Sequence, residues 1–173
     1  MNTVDCTLER HGAAIRDIFN DAIANTTALF EYVPRTPEVM AAWFAARAAG
    51  GFPVIGLEDE GGTLAAFATY GTFRAFPAFK YSVEHSVYVH RDHRGRGHGR
   101  RLLAEIVARA QSDGRHLVVG GIEAGNTASI ALHESLGFTH AGTIREAGFK
   151  FGRWLDLAFY QRHLPTPEDP KDG

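Results

Sequence analysis

A loop rich in glycine and arginine constrains the fold of this chain more than any other feature of its sequence. The loop covers residues 90–101 and reads His-Arg-Asp-His-Arg-Gly-Arg-Gly-His-Gly-Arg-Arg. Residues 81–89 before it form a predicted strand, and the apolar residues between Leu102 and Ala110 after it recur at helical spacing. A further strand is predicted at residues 116–119. This order predicts two parallel strands joined by a right-handed crossover.

The loop has the composition of an anion-binding site. Gly95, Gly97 and Gly99 allow positive φ angles and the close approach of a ligand. Successive amide groups can then face one anion at the helix N-terminus, where the helix dipole adds positive charge. Arg100 and Arg101 lie in the first helical turn, where acidic residues are normally favoured. The charges alone also allow a solvated basic loop or a weak nucleic-acid patch, and the glycine spacing favours a phosphate ligand.

The spacing separates this loop from two common phosphate-binding loops. It does not match the Gly-x-Gly-x-x-Gly of dinucleotide-binding domains, and the Gly-Lys-Ser/Thr of the P-loop is absent. Arg94-x-x-Gly97-x-Gly99 resembles the Arg/Gln-x-x-Gly-x-Gly/Ala loop of the GCN5-related N-acetyltransferase superfamily, which holds the pyrophosphate of acetyl-CoA. Residues 126–138 resemble the superfamily's Asn-x-x-(Ala/Ser)-x-x-Leu-Tyr-x-x-x-Gly-Phe segment. His133 stands where many members carry a tyrosine that acts as the general acid.

Three longer runs resemble one branch of that superfamily, the phosphinothricin and methionine sulfoximine/methionine sulfone N-acetyltransferases. The runs cover residues 73–76, 83–90 and 150–156, and the methionine sulfoximine enzymes are the closer match. The resemblance implies an acetyl-CoA-dependent N-acetyltransferase. Its acceptor would be the α-amino group of a small amino-acid analogue such as methionine sulfoximine, methionine sulfone or phosphinothricin. The resemblance also implies a homodimer.

The predicted elements give a mixed α/β fold with the order β-α-α-β-β-β-α-β-α-β-β, that of the GCN5-related acetyltransferases. Strands are predicted at residues 4–8, 54–57, 63–70, 81–89, 116–119, 139–144 and 149–160, and helices at residues 11–24, after Thr36-Pro37, after the glycine-rich loop and at residues 125–136. We expect a single acetyltransferase domain at residues 1–164. The tail at residues 165–173, rich in Pro, Asp and Lys, is expected to be disordered.

The resemblance also implies roles for individual residues. The acetyl-CoA site would comprise Val87, Tyr88, Val89, Arg94, Gly95, Arg96, Gly97, His98, Gly99, Arg100, Asn126 and Ser135. The pocket for the amine acceptor would be lined by Arg74, Ala75, Phe76, Glu84, His85 and Ser86. Glu84 and His133 are the candidate catalytic residues.

The residue types fit this chemistry. Glu84 lies between Val83 and Val87 in an apolar strand, where an acidic side chain is costly to bury without a partner or a task. It can act as the base that deprotonates the acceptor amine, or form an ion pair with Lys80 or Arg74. Arg74 can bind the acceptor's carboxylate bidentately. His133 can protonate the departing thiolate, or stabilise a helix C-terminus.

Charge and composition exclude several other classes. The net charge is −2, so no overall field draws the chain to nucleic acid or to an anionic membrane. No apolar run reaches the length of a membrane span, and no signal-peptide pattern is seen, so a cytoplasmic location is expected. The nine histidines show no metal-ligand spacing, and we predict no metal. Two alternative functions stay open: a protein N-terminal acetyltransferase of the ribosomal-protein type, and a non-catalytic acyl-CoA-binding module.

Overall fold

Seven strands form one mixed sheet with the order β1-β2-β3-β4-β5-β7-β6 in the computed structural model, which describes residues 1–172. In chain order the elements are β1 (Asn2–Asp5), α1 (Leu8–Asn25), α2 (Pro37–Ala49), β2 (Val54–Glu58), β3 (Leu64–Thr72), β4 (Ser82–Val89), α3 (His98–Ser112), β5 (Leu117–Glu123), α4 (Thr127–Glu134), β6 (Thr139–Lys150) and β7 (Arg153–His163). Short 3₁₀ helices at Pro77–Phe79 and Arg91–His93 precede β4 and α3. The predicted fold class and element order are confirmed.

The centre of the sheet contains one parallel strand pair. β4 and β5 pair in parallel through three successive residues each, 82–84 with 117–119, and every other neighbouring pair is antiparallel. The crossover that joins β4 to β5 contains the glycine-rich loop and α3, as predicted. Beyond Glu84 and Val119 the two strands no longer pair, so they diverge toward their carboxyl ends.

Local sequence signals explain where the helices begin. The Thr7 and Thr36 side chains accept hydrogen bonds from the backbone N–H groups of Arg10 and Val39, and Pro37 occupies the first turn of α2. The Asn126 side chain caps α4 in the same way. These caps satisfy N–H groups that the helices leave free.

The helices cover the two faces of the sheet. α3 buries Leu102, Leu103 and Ile106 against one face, where they pack with residues of β2 to β5. α1 buries Ile15, Ile18 and Phe19 on the opposite face, next to α2. Because side chains alternate along a strand, Glu84, Ser86 and Tyr88 project toward the α1–α2 face and Val83, His85 and Val87 toward the α3–α4 face.

The boundaries of the last two strands differ from the prediction. β6 continues to Lys150, and the turn lies at Phe151 and Gly152 rather than between residues 144 and 149. The register of β6 shifts between Ile144 and Gly148, and Glu146 there has a φ of 51°. This bulge interrupts the apolar alternation without ending the strand. For that reason the alternation pattern predicted the end of β6 too early, at residue 144.

The segment after β7 contacts the rest of the chain. The Thr166 hydroxyl donates to the Arg115 carbonyl, and the backbone N–H of Lys171 donates to the Tyr81 hydroxyl over 3.0 Å. Gly173, the last residue of the expected tail, lies outside the described residues. Among residues 1–172, no helix is both long and apolar enough to cross a bilayer.

Candidate active site

The divergence of β4 and β5 opens a cleft of about 550 Å³ in the middle of the sheet. Its sides are residues 85–89 of β4 and residues 120–123 of β5, and its ends are the glycine-rich loop and the start of the α1–α2 connection. Past Glu84, the peptide groups of β4 that face β5 have no strand partner. Unpaired strand groups of this kind can bind an extended ligand by main-chain hydrogen bonds.

The glycine-rich loop has the geometry of an anion site at one end of this cleft. Gly95 and Gly97 have φ angles of 73° and 78°, which non-glycine residues rarely adopt, and Gly97 is the residue that precedes α3. The Arg94 guanidinium donates to Asp21 of α1 over 2.9 Å, which fixes its direction. The cleft is lined here by Arg94, Gly95, Gly97, His98, Gly99 and Arg100. The N-terminus of α3 and two arginines therefore face the same space.

Two histidines of this loop carry buried ring nitrogens without partners in the described residues. They are Nδ1 of His93 and Nε2 of His98, and both residues line the cleft. Burial lowers the pKa of His98, and the nearby charges of His93 and Arg96 lower it further. A bound phosphate would supply both an acceptor for these nitrogens and a compensating negative charge.

A buried pair of histidines crosses the cleft between β4 and α4. Nε2 of His85 lies 3.0 Å from Nε2 of His133, and Nδ1 of His133 lies 2.7 Å from the Ser129 carbonyl. A carbonyl only accepts, so Nδ1 of His133 carries the proton, and in the neutral ring Nε2 accepts from His85. Burial lowers the pKa of His85 to about 3 and also lowers the pKa of His133. The pair is therefore neutral at pH 7, and Nε2 of His133 holds no proton to donate.

Glu84 lies at the point where the two central strands separate. Its side chain is half-buried on the α1–α2 face, and burial raises its pKa while the charge of Arg74 opposes that shift. Gly121 on β5 leaves room for it, because a Cβ at that position would lie 3.0 Å from Oε1 of Glu84. A carboxylate with a raised pKa at this place can accept a proton from a nucleophile in the cleft.

The predicted acceptor-binding residues occupy two different environments. Glu84 and Ser86 project from β4 on the same face, whereas His85 projects to the opposite face and contacts His133. Arg74, Ala75 and Phe76 lie in the exposed connection before β4, and Phe76 is 73% exposed. The Arg74 guanidinium stacks 4.5 Å above the Phe73 ring and donates to the Phe73 carbonyl.

Most of the predicted acetyl-CoA residues line the cleft. They are Val87, Tyr88, Val89, Arg94, Gly95, Gly97, His98, Gly99, Arg100 and Asn126. Two others do not. Arg96 lies in the loop but is exposed and does not line the cleft, and Ser135 lies at the other end of α4, where its hydroxyl donates to the Leu132 carbonyl. The assignment of all these residues to acetyl-CoA stays a prediction.

Several cleft residues were not predicted. Gly120 and Gly121 lie in the middle of β5, and a Cβ at Gly120 would lie 2.8 Å from Nε2 of His85. Two adjacent glycines inside a strand are a sequence signal for close approach by other groups, so they could have been found. Glu123 accepts hydrogen bonds from the Thr27 hydroxyl at 3.0 Å and the Gly125 N–H at 2.9 Å. No spacing pattern in the sequence predicts the contact between Thr27 and Glu123.

Comparison with known proteins agrees with this geometry. The acetyltransferase (GNAT) family model matches residues 15–138. The L-methionine sulfoximine/L-methionine sulfone acetyltransferase of Pseudomonas paraeruginosa is 47% identical over 154 residues, which cover 88% of this chain and 90% of that protein.

Two solved structures have closely similar folds. One is yncA from Salmonella typhimurium with its cofactor acetyl-CoA, which is 41% identical with a TM-score of 0.93, over 99% of this chain and 98% of that one. The other is the ribosomal-protein-alanine N-acetyltransferase of Brucella melitensis, which is 44% identical with a TM-score of 0.92, over 95% of this chain and 100% of that one.

Proposed function

The chain belongs to the acetyltransferase (GNAT) family and is an N-acetyltransferase that uses acetyl-CoA; from this premise we propose that it acetylates the α-amino group of small amino-acid analogues. Methionine sulfoximine and methionine sulfone are the proposed acceptors, because the relative from Pseudomonas paraeruginosa is named for both. Phosphinothricin is a further candidate from the resemblance described above. Acetylation removes the positive charge of the amine, which fits a role in detoxifying such compounds.

In this proposal the cleft binds acetyl-CoA along its length. The amides of the glycine-rich loop, with Arg94 and Arg100, hold the pyrophosphate at the N-terminus of α3. The free backbone groups of residues 87–89 bind the pantetheine arm and the acetyl group, and one of their N–H groups serves as the oxyanion donor. Asn126 lies on the opposite side of the cleft, beside the same arm.

The chemistry requires one base. An α-amino group has a pKa of about 8, so at neutral pH it is mostly protonated and cannot attack a thioester. Glu84 accepts that proton, directly or through one water, and the amine nitrogen then attacks the thioester carbonyl. The C–S bond breaks, and the electron pair leaves with the sulfur of CoA. The nitrogen loses its second proton, which passes through water to the departing thiolate and gives the amide and free CoA. Because neutral His133 holds no proton on Nε2, its role in the proposal is to position His85 and the β5 side of the cleft.

The observation that supports the proposal best is the position of Glu84. A half-buried carboxyl with a raised pKa lies where β4 and β5 separate, next to the acetyl-binding stretch of β4. A non-catalytic acyl-CoA-binding module needs the loop and has no need of this carboxyl. The protein N-terminal acetyltransferase is kept as the second candidate, because one solved relative has that name.

Parallel assays of thiol release from acetyl-CoA test the proposal. The acceptors are L-methionine sulfone, a peptide that begins with alanine, and buffer alone. We expect rapid release with methionine sulfone and little above background with the peptide. Faster release with the peptide would identify the protein acetyltransferase instead. Release with neither acceptor, despite acetyl-CoA binding, would identify a binding module.

The assembly and the location of the protein are part of the same proposal. We expect one domain at residues 1–164 followed by the tail at residues 165–173, a homodimer, and a cytoplasmic location without a bound metal, nucleic acid or membrane as partner. Exposed apolar side chains support the homodimer. Ile144, Phe149, Phe151 and Trp154 of the β6–β7 hairpin are 52%, 46%, 58% and 59% exposed. These four residues are called the hairpin patch below.

A further inference from the structure

The stretch of chain that follows α1 forms an edge of the cleft and has no regular structure of its own. Between Asn25, where α1 ends, and Pro37, where α2 begins, the structure contains neither helix nor strand. Residues 26–28 continue the side of the cleft that α1 lines, and Glu84 projects toward the same face of the sheet. Residues 26–32 are called the bridging segment below. Because no ladder of backbone hydrogen bonds fixes this segment, its position depends on contacts with other parts of the chain.

A buried lysine of β6 holds the bridging segment from one side. Lys150 is 4% exposed, and its Nζ donates to the carbonyls of Thr26 at 2.8 Å and Leu29 at 2.7 Å. No carboxylate of residues 1–172 lies within ion-pairing distance of this Nζ. Burial lowers the pKa of Lys150, and the charge of Glu31 opposes that shift. A buried ammonium group is costly without partners, and here the two carbonyls are the partners that stabilise it.

A buried glutamate of β5 holds the next residue of the segment. Glu123 is 7% exposed, and it accepts hydrogen bonds from the Thr27 hydroxyl at 3.0 Å and from the Gly125 N–H at 2.9 Å. Like Lys150, it forms no ion pair within the described part of the chain. Thr26 and Thr27 are therefore bound by two buried charges of opposite sign, and these charges come from two different strands.

Further contacts extend this attachment along β6. The Phe30 ring lies over Gly148, where an added Cβ would be 2.6 Å from Cδ2 of the ring. The Tyr32 hydroxyl donates to the Phe149 carbonyl. The bridging segment therefore runs from the end of α1, past the end of β5, to the β6–β7 hairpin.

Stability alone does not explain why two charges lie at these positions. Buried charges are costly to remove from water, and apolar side chains of similar volume are often as stable or more stable in their place. Fully satisfied polar contacts, however, specify one arrangement of the groups that they join. Lys150 is also the first residue of the run 150–156, to which the proposed chemistry gives no task.

We propose that Lys150 and Glu123 are positioning residues for acetyl transfer, which hold the bridging segment as the wall of the cleft beside the thioester. The inference rests on the proposed function and adds to it the groups that fix this wall. Glu84 lies on the same face, so the acceptor amine approaches the thioester from the side that the segment borders. The proposed phosphate site lies at the start of α3, which packs on the other face. Displacement of the segment should therefore affect the transfer step more than acetyl-CoA binding.

Three substitutions by the same residue test this proposal. Methionine keeps the approximate length of each side chain and cannot make its hydrogen bonds. Lys150→Met and Glu123→Met should each lower kcat with methionine sulfone by about 10- to 10²-fold, because small displacements near the reacting atoms have effects of this size. The KM of acetyl-CoA should change less than about threefold.

Glu58→Met is the matched control at the opposite end of α1. Glu58 is 3% exposed, lies outside the cleft lining, and bonds to Arg10 at 2.7 Å and His11 at 2.9 Å. Its replacement removes a buried charge that also anchors α1, and so it should lower the melting temperature. The kcat of the folded Glu58→Met protein should equal that of the wild type.

Hydrogen exchange gives a readout that needs no acceptor. Peptides that cover the bridging segment should exchange their amide hydrogens faster in Lys150→Met and Glu123→Met than in the wild type, and at the wild-type rate in Glu58→Met. If the first two variants do not fold, Thr27→Val decides. It removes only the hydroxyl that bonds to Glu123, and it should speed exchange and lower kcat in the same direction.

The other outcomes overturn the proposal. An equal loss of kcat in Glu58→Met would show that these charges support α1 in general. A higher KM of acetyl-CoA with unchanged kcat would show that they serve acetyl-CoA binding only. Unchanged exchange of the bridging segment would show that they do not hold it. Absence of transfer by the wild-type enzyme to any acceptor would contradict the proposed function, and hydrogen exchange would then still test the positioning role.

Discussion

Glu84 is the residue at which the proposed mechanism sets the demands of stability against those of catalysis. Burial raises the pKa of its carboxyl group, chiefly because a charge is less well solvated there. When the pKa of a carboxyl group is higher in the folded than in the unfolded state, the free energy of unfolding falls as pH rises from the unfolded-state pKa to the folded-state pKa. The decrease is complete above the folded-state pKa. The same raised pKa makes the group a better proton acceptor. In the proposed mechanism the protein therefore gives up some stability at this position in return for a base.

This conflict gives the first prediction. Glu84→Gln keeps the shape of the side chain and removes the base, so kcat should fall by about 10²–10⁴-fold at neutral pH. The difference in kcat between the variant and the wild type should shrink as pH approaches the pKa of the amine, because the free amine then forms without the help of a base. Thermal stability at neutral pH should stay equal or rise, and the KM of acetyl-CoA should not change. Steady-state kinetics from pH 6 to pH 9 and a melting curve measure these quantities.

Two results would remove Glu84 from this role. Wild-type turnover across the whole pH range would show that another group, or water alone, accepts the proton. An increase only in the acceptor's KM, equal at every pH, would show that Glu84 binds the ammonium group and does not take its proton.

Among the elements, the loop between β4 and α3 carries the clearest link from sequence to function. Gly97 has a φ of 78° directly before α3, and no other atom lies close to the position of its missing Cβ. The open space there belongs to the cleft. Gly62, in the turn between β2 and β3, has a φ of 82° and similar open space, yet it lies outside the cleft lining. The two glycines thus share a left-handed backbone conformation and differ in location.

A matched pair of substitutions separates these effects. Gly97→Val and Gly62→Val should each lower stability by roughly 1–2 kcal/mol, because an L-residue is strained at positive φ. Only Gly97→Val should also raise the KM of acetyl-CoA, since its side chain would enter the phosphate site. Binding and melting measurements on both proteins provide the check. An unchanged acetyl-CoA affinity in folded Gly97→Val would show that the loop does not bind the phosphates.

Sequence alone predicted the elements whose signals are local. The caps at Thr36 and Asn126 and the glycines of the loop depend on neighbouring residues, so the helix starts and the positive φ angles of the loop followed from them. The divergence of β4 and β5 depends on contacts between distant segments, and no local pattern encodes it. The contact of α2 with β3 was missed for the same reason, because the Arg47 guanidinium lies over Gly71, 24 positions away in sequence.

At the scale of the whole molecule, the hairpin patch is the feature that a monomer does not explain. Phe149 and Trp154 pack against each other with ring centroids 5.1 Å apart, and both keep about half of their surface exposed. Large apolar groups gathered on one hairpin mark an interaction surface. β6 is also an edge strand of the sheet, which adds unpaired backbone groups beside the patch. A second copy of the chain is the proposed partner.

Trp154→Asp tests this assembly. Placing a charge in the centre of a homodimer interface should convert the dimer to a monomer at micromolar concentration, as measured by analytical ultracentrifugation. Val39→Asp changes an exposed apolar residue of α2, which is 47% exposed, and should leave the dimer intact. Wild-type protein that sediments as a monomer at these concentrations would contradict the proposed homodimer.

We propose above all that this protein transfers an acetyl group from acetyl-CoA to the α-nitrogen of an amino acid. Incubation of the purified chain with acetyl-CoA and L-methionine sulfone, followed by mass spectrometry and thiol quantification, tests it directly. We expect N-acetylmethionine sulfone and free CoA in equal amounts, at a rate that saturates in both substrates. CoA release without the acetylated amino acid, or no reaction in a protein that still binds acetyl-CoA, would contradict it.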